Sequence, residues 1–249
     1  AQRTARVLIE CQRADGALVH DATRLGEHGE PRWLEADYWR AQGPVHEPSG
    51  GRGAALLVRT PAGEAVLRHY RRGGLVAHFN PDRYRWRDQA STRPFREFAL
   101  LQSLVDAGLP APVPLAARYR RNQGWYQADL LTLAIEGAET LAQRLRTAPA
   151  TIDWTQLGST IARFHAHGVF HADLNAHNVL ICGDRMHLID FDRGERREPD
   201  AAWQHANLAR LKRSLEKLGV GRALPGFGQA AWPALCAAHA QALGAGLRP

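Results

Sequence analysis

The stretch His171-Ala172-Asp173-Leu174-Asn175-Ala176-His177-Asn178 is followed, twelve residues beyond Asn178, by Asp190-Phe191-Asp192. An H-x-D-x-x-x-x-N element ahead of a second acid is the chemical minimum for moving the γ-phosphoryl group of ATP onto a hydroxyl. Asp173 is the candidate catalytic residue, placed to accept the proton of the attacking hydroxyl. Asn178 and Asp190 are the candidate ligands for Mg²⁺. Magnesium takes a few hard oxygens from carboxylates or amides and completes its shell with the phosphates themselves. Either half of the pattern alone would say little; the two in this order, bounded by apolar runs, point to phosphoryl transfer.

The surroundings agree. Val179-Leu180-Ile181 and His187-Leu188-Ile189 flank Cys182-Gly183-Asp184-Arg185, which predicts a β-hairpin with Asn178 at its entry and Asp190 at its exit. Upstream, apolar residues at 154, 157, 161, 162 and 164 predict a helix over Trp154–His165 that Gly168 stops. Helix, loop, hairpin and acid follow the order of the C-terminal lobe of protein-kinase-like folds. The expected class is therefore α+β and two-lobed. Residues 1–136 would form an N-terminal antiparallel-sheet lobe with one main helix, and 137–249 a mainly helical catalytic lobe, with ATP between them.

In the N-terminal half, Gly50, Gly51, Arg52 and Gly53 precede the apolar run Leu56-Leu57-Val58. Glycines there let the backbone approach phosphate oxygens, and Arg52 adds charge. Glycine clusters also mark ordinary turns, so this signal is weak by itself. The next run, Ala65–Tyr70, is the strand on which a kinase fold carries a phosphate-contacting lysine; here the matching residue is Arg68. A guanidinium can hold phosphate through paired hydrogen bonds, with a geometry unlike an ammonium. Pro94–Leu104 predicts a helix ending by Gly108, with Glu97 in its first turn as the partner of Arg68. An exposed first-turn Glu favoured by the helix dipole is the plainer alternative. Asp15-Gly16 signals a hairpin, Trp33–Arg40 a short aromatic helix, and Ala230–Leu243 a packing helix interrupted at Pro233.

These residues carry a family resemblance. Gly51-Arg52-Gly53, Val66–Leu75, His171–Asn178, Leu188–Gly194, Asn207–Leu215 and the aromatic Trp33–Trp39 segment resemble the 3-deoxy-D-manno-octulosonate (Kdo) kinases of the lipopolysaccharide kinase group, over most of residues 33–218. The resemblance implies ATP and Mg²⁺, with Asp173 as the catalytic residue. Its acceptor would be a hydroxyl, O4, of the Kdo residue on a lipid A precursor, Kdo-lipid IVA. It also implies work at the cytoplasmic face of the inner membrane of a Gram-negative cell, as a peripheral protein. Where protein kinases have Asp-Phe-Gly, this chain has Asp190-Phe191-Asp192, a departure shared with that group.

Composition fits this reading. The chain has 249 residues, 45% of them hydrophobic, and a formal net charge of +7, enough for one two-lobed unit with a sizeable core. No apolar run approaches the roughly 18–20 residues that span a bilayer, and no export signal is visible. Three cysteines without close spacing argue against a disulfide framework. Between Arg68 and Glu97 stand eight arginines against three acids, interleaved with Tyr70, Phe79, Tyr84 and Trp86. That segment is expected to meet an anionic membrane surface with its rings at headgroup depth, or else to be a solvated loop.

Other chemistries are less well supported. There is no P-loop and no nucleophile elbow. His165, His167, His171 and His177 crowd one segment, but helix and loop geometry need not gather them into a zinc site. Pro199 follows Asp190 by only nine positions, too few for a long activation segment, so a small or glycolipid acceptor is expected; a monomer is expected as well. Another kinase of the same fold, acting on heptose, choline or an aminoglycoside, is the alternative. A noncatalytic scaffold, suggested by Arg68, and a nucleic-acid-binding module, suggested by the charge, are weaker; no nucleic-acid partner is expected.

Overall fold

The computed structural model describes residues 6–46, 55–71 and 82–246. The chain divides into two compact units, Ala1–Gln102 with Pro112–Ala134, and Ser103–Ala111 with Ile135–Pro249. Ser103–Ala111 thus groups with the second unit, whereas the sequence suggests a single boundary at 136/137. The glycine-rich segment, Gly50, Gly51, Arg52 and Gly53, lies outside the described residues.

The first unit is an antiparallel sheet. Its strands are β1 (Leu8–Arg13), β2 (Gly16–Asp21), β3 (Ala55–Thr60), β4 (Gly63–His69), β5 (Tyr84–Arg85), β6 (Pro114–Asn122) and β7 (Trp125–Leu133). They run in the order β1-β2-β6-β7-β4-β3, with β5 on β7. The Asp15-Gly16 hairpin forms, pairing Arg13 with Gly16. Helices α1 (Ala22–Leu25), α2 (Ala36–Gln42) and the larger part of α3 (Arg93–Asp106), up to Gln102, complete it. One sheet face is covered by Leu25, Trp33, Leu34 and Trp39, which pack on Leu18, Leu56, Val58, Leu67, Leu115 and Leu131.

The aromatic segment departs from its expectation. Instead of one helix over Trp33–Arg40, a 3₁₀ turn at Pro31–Leu34 is followed by an extended Glu35 and then α2. The cause is Arg118 of β6. Its guanidinium donates to the carbonyls of Pro31 (3.0 Å) and Leu34 (2.7 Å), to Glu35 Oε1 (3.1 Å) and to Asp129 Oδ2 (2.9 Å). A continuous helix would need the Leu34 carbonyl for its own ladder.

In the second unit, β8 (Glu139–Thr140) precedes α4 (Leu141–Thr147) and α5 (Trp154–Ala166). Next come β9 (Val169–Phe170), β10 (Val179–Cys182), β11 (Arg185–Leu188) and β12 (Glu195–Arg196). Helices α6 (Ala201–Lys217), α7 (Val220–Ala223) and α8 (Trp232–Gly246) close the unit. α5 forms where its apolar spacing predicts, capped by Asp153, which accepts from the Gln156 amide. It packs tightly on α8: a side chain on Gly158 would meet the Leu235 carbonyl at 2.1 Å. α5 ends at Ala166, and the chain turns away at Gly168, whose φ of +67° few other residues adopt. Pro233 does not interrupt the last helix. It lies in the first turn of α8, where its missing N–H costs nothing. Among the described residues no helix is long and apolar enough to cross a membrane.

Candidate active site

The segment 171–178 runs from β9 to β10, and Asp190 follows β11. β10 and β11 pair with Val179 opposite Leu188, and the Ile189 amide donates to the Asn178 carbonyl at 3.0 Å. Asn178 and Asp190 thus leave the same end of the hairpin, as their spacing requires. His171 ties the two sides together. Its Nε2–H donates to the Ile189 carbonyl (2.9 Å), while Nδ1 accepts the Asp173 amide (3.1 Å). Both bonds demand a neutral ring, and burial pushes this imidazole below its ordinary range. Asn178 Nδ2 donates to the Asp173 carbonyl at 2.9 Å, so Oδ1 is the atom this side chain would offer a cation.

Three polar residues of α6 grip the segment from the other side. Asn207 accepts from the His171 amide (3.2 Å) and donates to its carbonyl (3.1 Å). Arg210 donates to Asp173 Oδ1 through Nε (2.9 Å) and Nη2 (2.6 Å). Ser214 Oγ accepts the Ala176 amide at 3.1 Å. Spacings of three and four place these residues on one helix face. Sequence reasoning assigned none of them a role. The available signal was a polar row at 207, 210 and 214 beside the buried Leu208, Leu211 and Leu215.

In the first unit, Arg68 and Glu97 form the ion pair read from the sequence: Nη2 donates to Oε2 at 2.5 Å. The carboxylate is buried, at 3% exposure, so this is no solvated first-turn acid. Tyr70, which sequence reasoning did not single out here, also donates to that oxygen (2.6 Å), and the Arg68 guanidinium stacks over its ring. The basic segment differs from its expectation in one respect. Tyr70 and Tyr84 are buried, and Arg93 lies over both rings, so neither is available to a headgroup layer. Arg83, Arg85 and Arg87 are exposed; Arg72 and Phe79 fall outside the described residues.

Asn178 Oδ1 and the Asp190 carboxylate are hard oxygen donors, and they fit Mg²⁺. Among the described residues no three His, Cys, Asp or Glu side chains are grouped to hold a metal ion. Magnesium in general takes few protein oxygens and completes its shell with phosphate and water.

An antiparallel sheet unit with one long helix, and a second unit in which helix, loop and hairpin order these side chains, define a phosphotransferase of the protein-kinase-like class. The chain belongs to the lipopolysaccharide kinase (Kdo/WaaP) family, whose model matches residues 36–239. It is 46% identical over 208 residues to a 3-deoxy-D-manno-octulosonic acid kinase of Stenotrophomonas maltophilia strain R551-3, covering 83% of this chain and 82% of that one. It is 44% identical over 205 residues to the enzyme of the same name from Xylella fastidiosa strain M23, covering 82% of each. A solved glucosamine kinase superimposes with a TM-score of 0.50 over 97% of this chain and 81% of that one. At 14% identity that likeness bears on the fold alone.

Proposed function

We propose that this enzyme transfers the γ-phosphoryl group of ATP to a hydroxyl, O4, of the Kdo residue on Kdo-lipid IVA, at the cytoplasmic face of the inner membrane. Two relatives named for the acid sugar, alike over four fifths of their length, favour this acceptor over heptose, choline or an aminoglycoside. The observation that carries the chemistry is the double tether of His171, which couples the Asp173 loop to the hairpin end bearing Asp190.

In this reading Asp173 orients the acceptor hydroxyl and takes its proton late, because phosphoryl transfer rests mainly on positioning and charge neutralisation. Asn178 and Asp190 hold Mg²⁺, which when bound supplies charge neutralisation on the phosphates. Arg68, steadied by Glu97, contacts the nucleotide phosphates, with Gly50, Gly51, Arg52 and Gly53 as the backbone that approaches them. The exposed Arg83, Arg85 and Arg87 face the anionic membrane surface, where each contributes about 1 kcal/mol.

Incubation with ATP, Mg²⁺ and lipid IVA bearing one Kdo, followed by mass spectrometry, tests the reading. Gain of one phosphate on the sugar is expected. An unmodified glycolipid, with turnover on a heptose-bearing acceptor, would overturn it.

A further inference from the structure

We propose that Arg210 is a specificity-determining residue that reads the carboxylate of the acidic acceptor sugar while it holds Asp173. This rests on the function proposed above and names the group by which the acceptor is recognised.

The geometry is unequal on both sides of the pair. Arg210 spends Nε and Nη2 on a single oxygen, Asp173 Oδ1. Among the described residues Asp173 Oδ2 and Arg210 Nη1 take no part in a hydrogen bond. The pair therefore presents one acceptor atom and one cationic donor edge side by side. Both side chains are half exposed, 46% for Arg210 and 40% for Asp173, so a ligand can reach them. A guanidinium has five N–H groups in a fixed fork; two held by one carboxylate leave the others for a second anion.

Asp173 and Asp190 both act on the charge of the His171 ring, and residues 171–178 contain no lysine or arginine. His171 is buried and neutral. An octulosonic acid brings a further negative charge to a site already rich in carboxylates. Magnesium would offset Asp190, whereas the charge next to the acceptor hydroxyl is offset by the guanidinium on α6. A neutral sugar needs no such donor. An acid placed with its hydroxyl at Oδ2 and its carboxylate at Nη1 satisfies both at once.

The test crosses two acceptors with three enzymes. The acceptors are Kdo-lipid IVA and the same glycolipid with the Kdo carboxylate converted to its methyl ester. The enzymes are the wild type, Arg210→Ala and Arg210→Lys, each followed by kcat and by KM for acceptor and for ATP. Esterification should cost the wild type about 10-fold or more in kcat/KM, mainly through acceptor KM, as expected for a charge-assisted bond. The same esterification should cost Arg210→Ala little, and Arg210→Lys should regain activity on the acid only. KM for ATP should hold in all three. Equal losses on esterification in wild type and Arg210→Ala would overturn the proposal and reduce Arg210 to an orienting partner of Asp173. A wild type inactive on both glycolipids would instead overturn the acceptor assignment itself.

Discussion

Asn207 of α6 is bonded to both backbone groups of His171, accepting its N–H at 3.2 Å and donating to its C=O at 3.1 Å. Both residues are almost wholly buried, at 2% exposure. Asn207→Ala would leave two backbone groups without partners in a place water does not reach. The expected loss is about 2–4 kcal/mol of stability, measurable by urea unfolding. Turnover should fall further than the folded fraction does, since His171 also fixes the Asp173 amide. Asn207→Asp, which keeps the acceptor and loses the donor, should fall between.

A second consequence concerns acid. His165 Nδ1 and His239 Nε2 lie 2.8 Å apart in the interior of the second unit. Burial and the neighbouring imidazoles push His165 down to about 3 and His239 down to about 4. Below about pH 6.5 an unfolded chain takes up two protons that the folded one refuses. Stability is thus fully present above pH 6.5 and declines as pH falls from there toward 4. With two protons involved the steepest slope is about 2.7 kcal/mol per pH unit. Denaturant midpoints between pH 8 and pH 5 should show this decline. His239→Gln should flatten it by about half, and a curve unchanged by that substitution would count against the assignment.

His69 should behave in the opposite sense. Hydrogen bonding to Asp129 (2.6 Å), reinforced by Asp82 (3.2 Å), raises its imidazole above the ordinary range, although burial works the other way. Its contribution is complete below pH 6.5 and is lost as pH rises through the raised value. His69→Gln should therefore destabilise the first unit more at pH 6 than at pH 9. Unfolding followed by intrinsic fluorescence at both pH values checks the sign.

What the sequence makes legible depends on how far apart the partners lie. Local spacing suffices for α5, for the hairpin of β10 and β11, and for α3, because each is set within about a dozen residues; Glu97 falls just past the first turn of α3, which starts at Arg93. Arg118 is invisible in that sense: it splits the Trp33–Arg40 segment from more than 80 positions away. The α6 contacts fail for the same reason. Asn207, Arg210 and Ser214 reach back 36 to 38 residues to His171, Asp173 and Ala176. A helical period shows that they share a face, but not what that face touches. Pro233 is a different failure, since proline reads as a break unless the helix start is known.

Arg68 offers a direct test of a residue that differs from the lysine usual at this position. Glu97 is buried and accepts from Arg68 and Tyr70. Arg68→Ala would take this cation from beside the carboxylate, and the expected cost is about 3 kcal/mol, near the low end because the Arg68 side chain is 23% exposed. Arg68→Lys should restore most of the stability through a single bond to Glu97. If Arg68 also holds nucleotide phosphates, Arg68→Ala should raise KM for ATP and leave acceptor KM unchanged. A rise confined to acceptor KM would contradict that role.

Asp173→Asn separates binding from chemistry. An amide keeps the size of the carboxylate and can still accept one bond from Arg210, so the loop should hold its shape. It cannot take a proton from the acceptor, and turnover should fall by about 10²–10⁴-fold. Nucleotide affinity, measured calorimetrically with Mg²⁺, should change less than a few-fold, because the proposed Mg²⁺ ligands Asn178 and Asp190 remain. Asp190→Ala should do the reverse and weaken magnesium-dependent nucleotide binding itself, with little effect on binding measured without the metal. Were Asp173→Asn to keep most of its activity, the proton-accepting role would belong elsewhere, and the charge held by Arg210 would have to be explained by positioning alone.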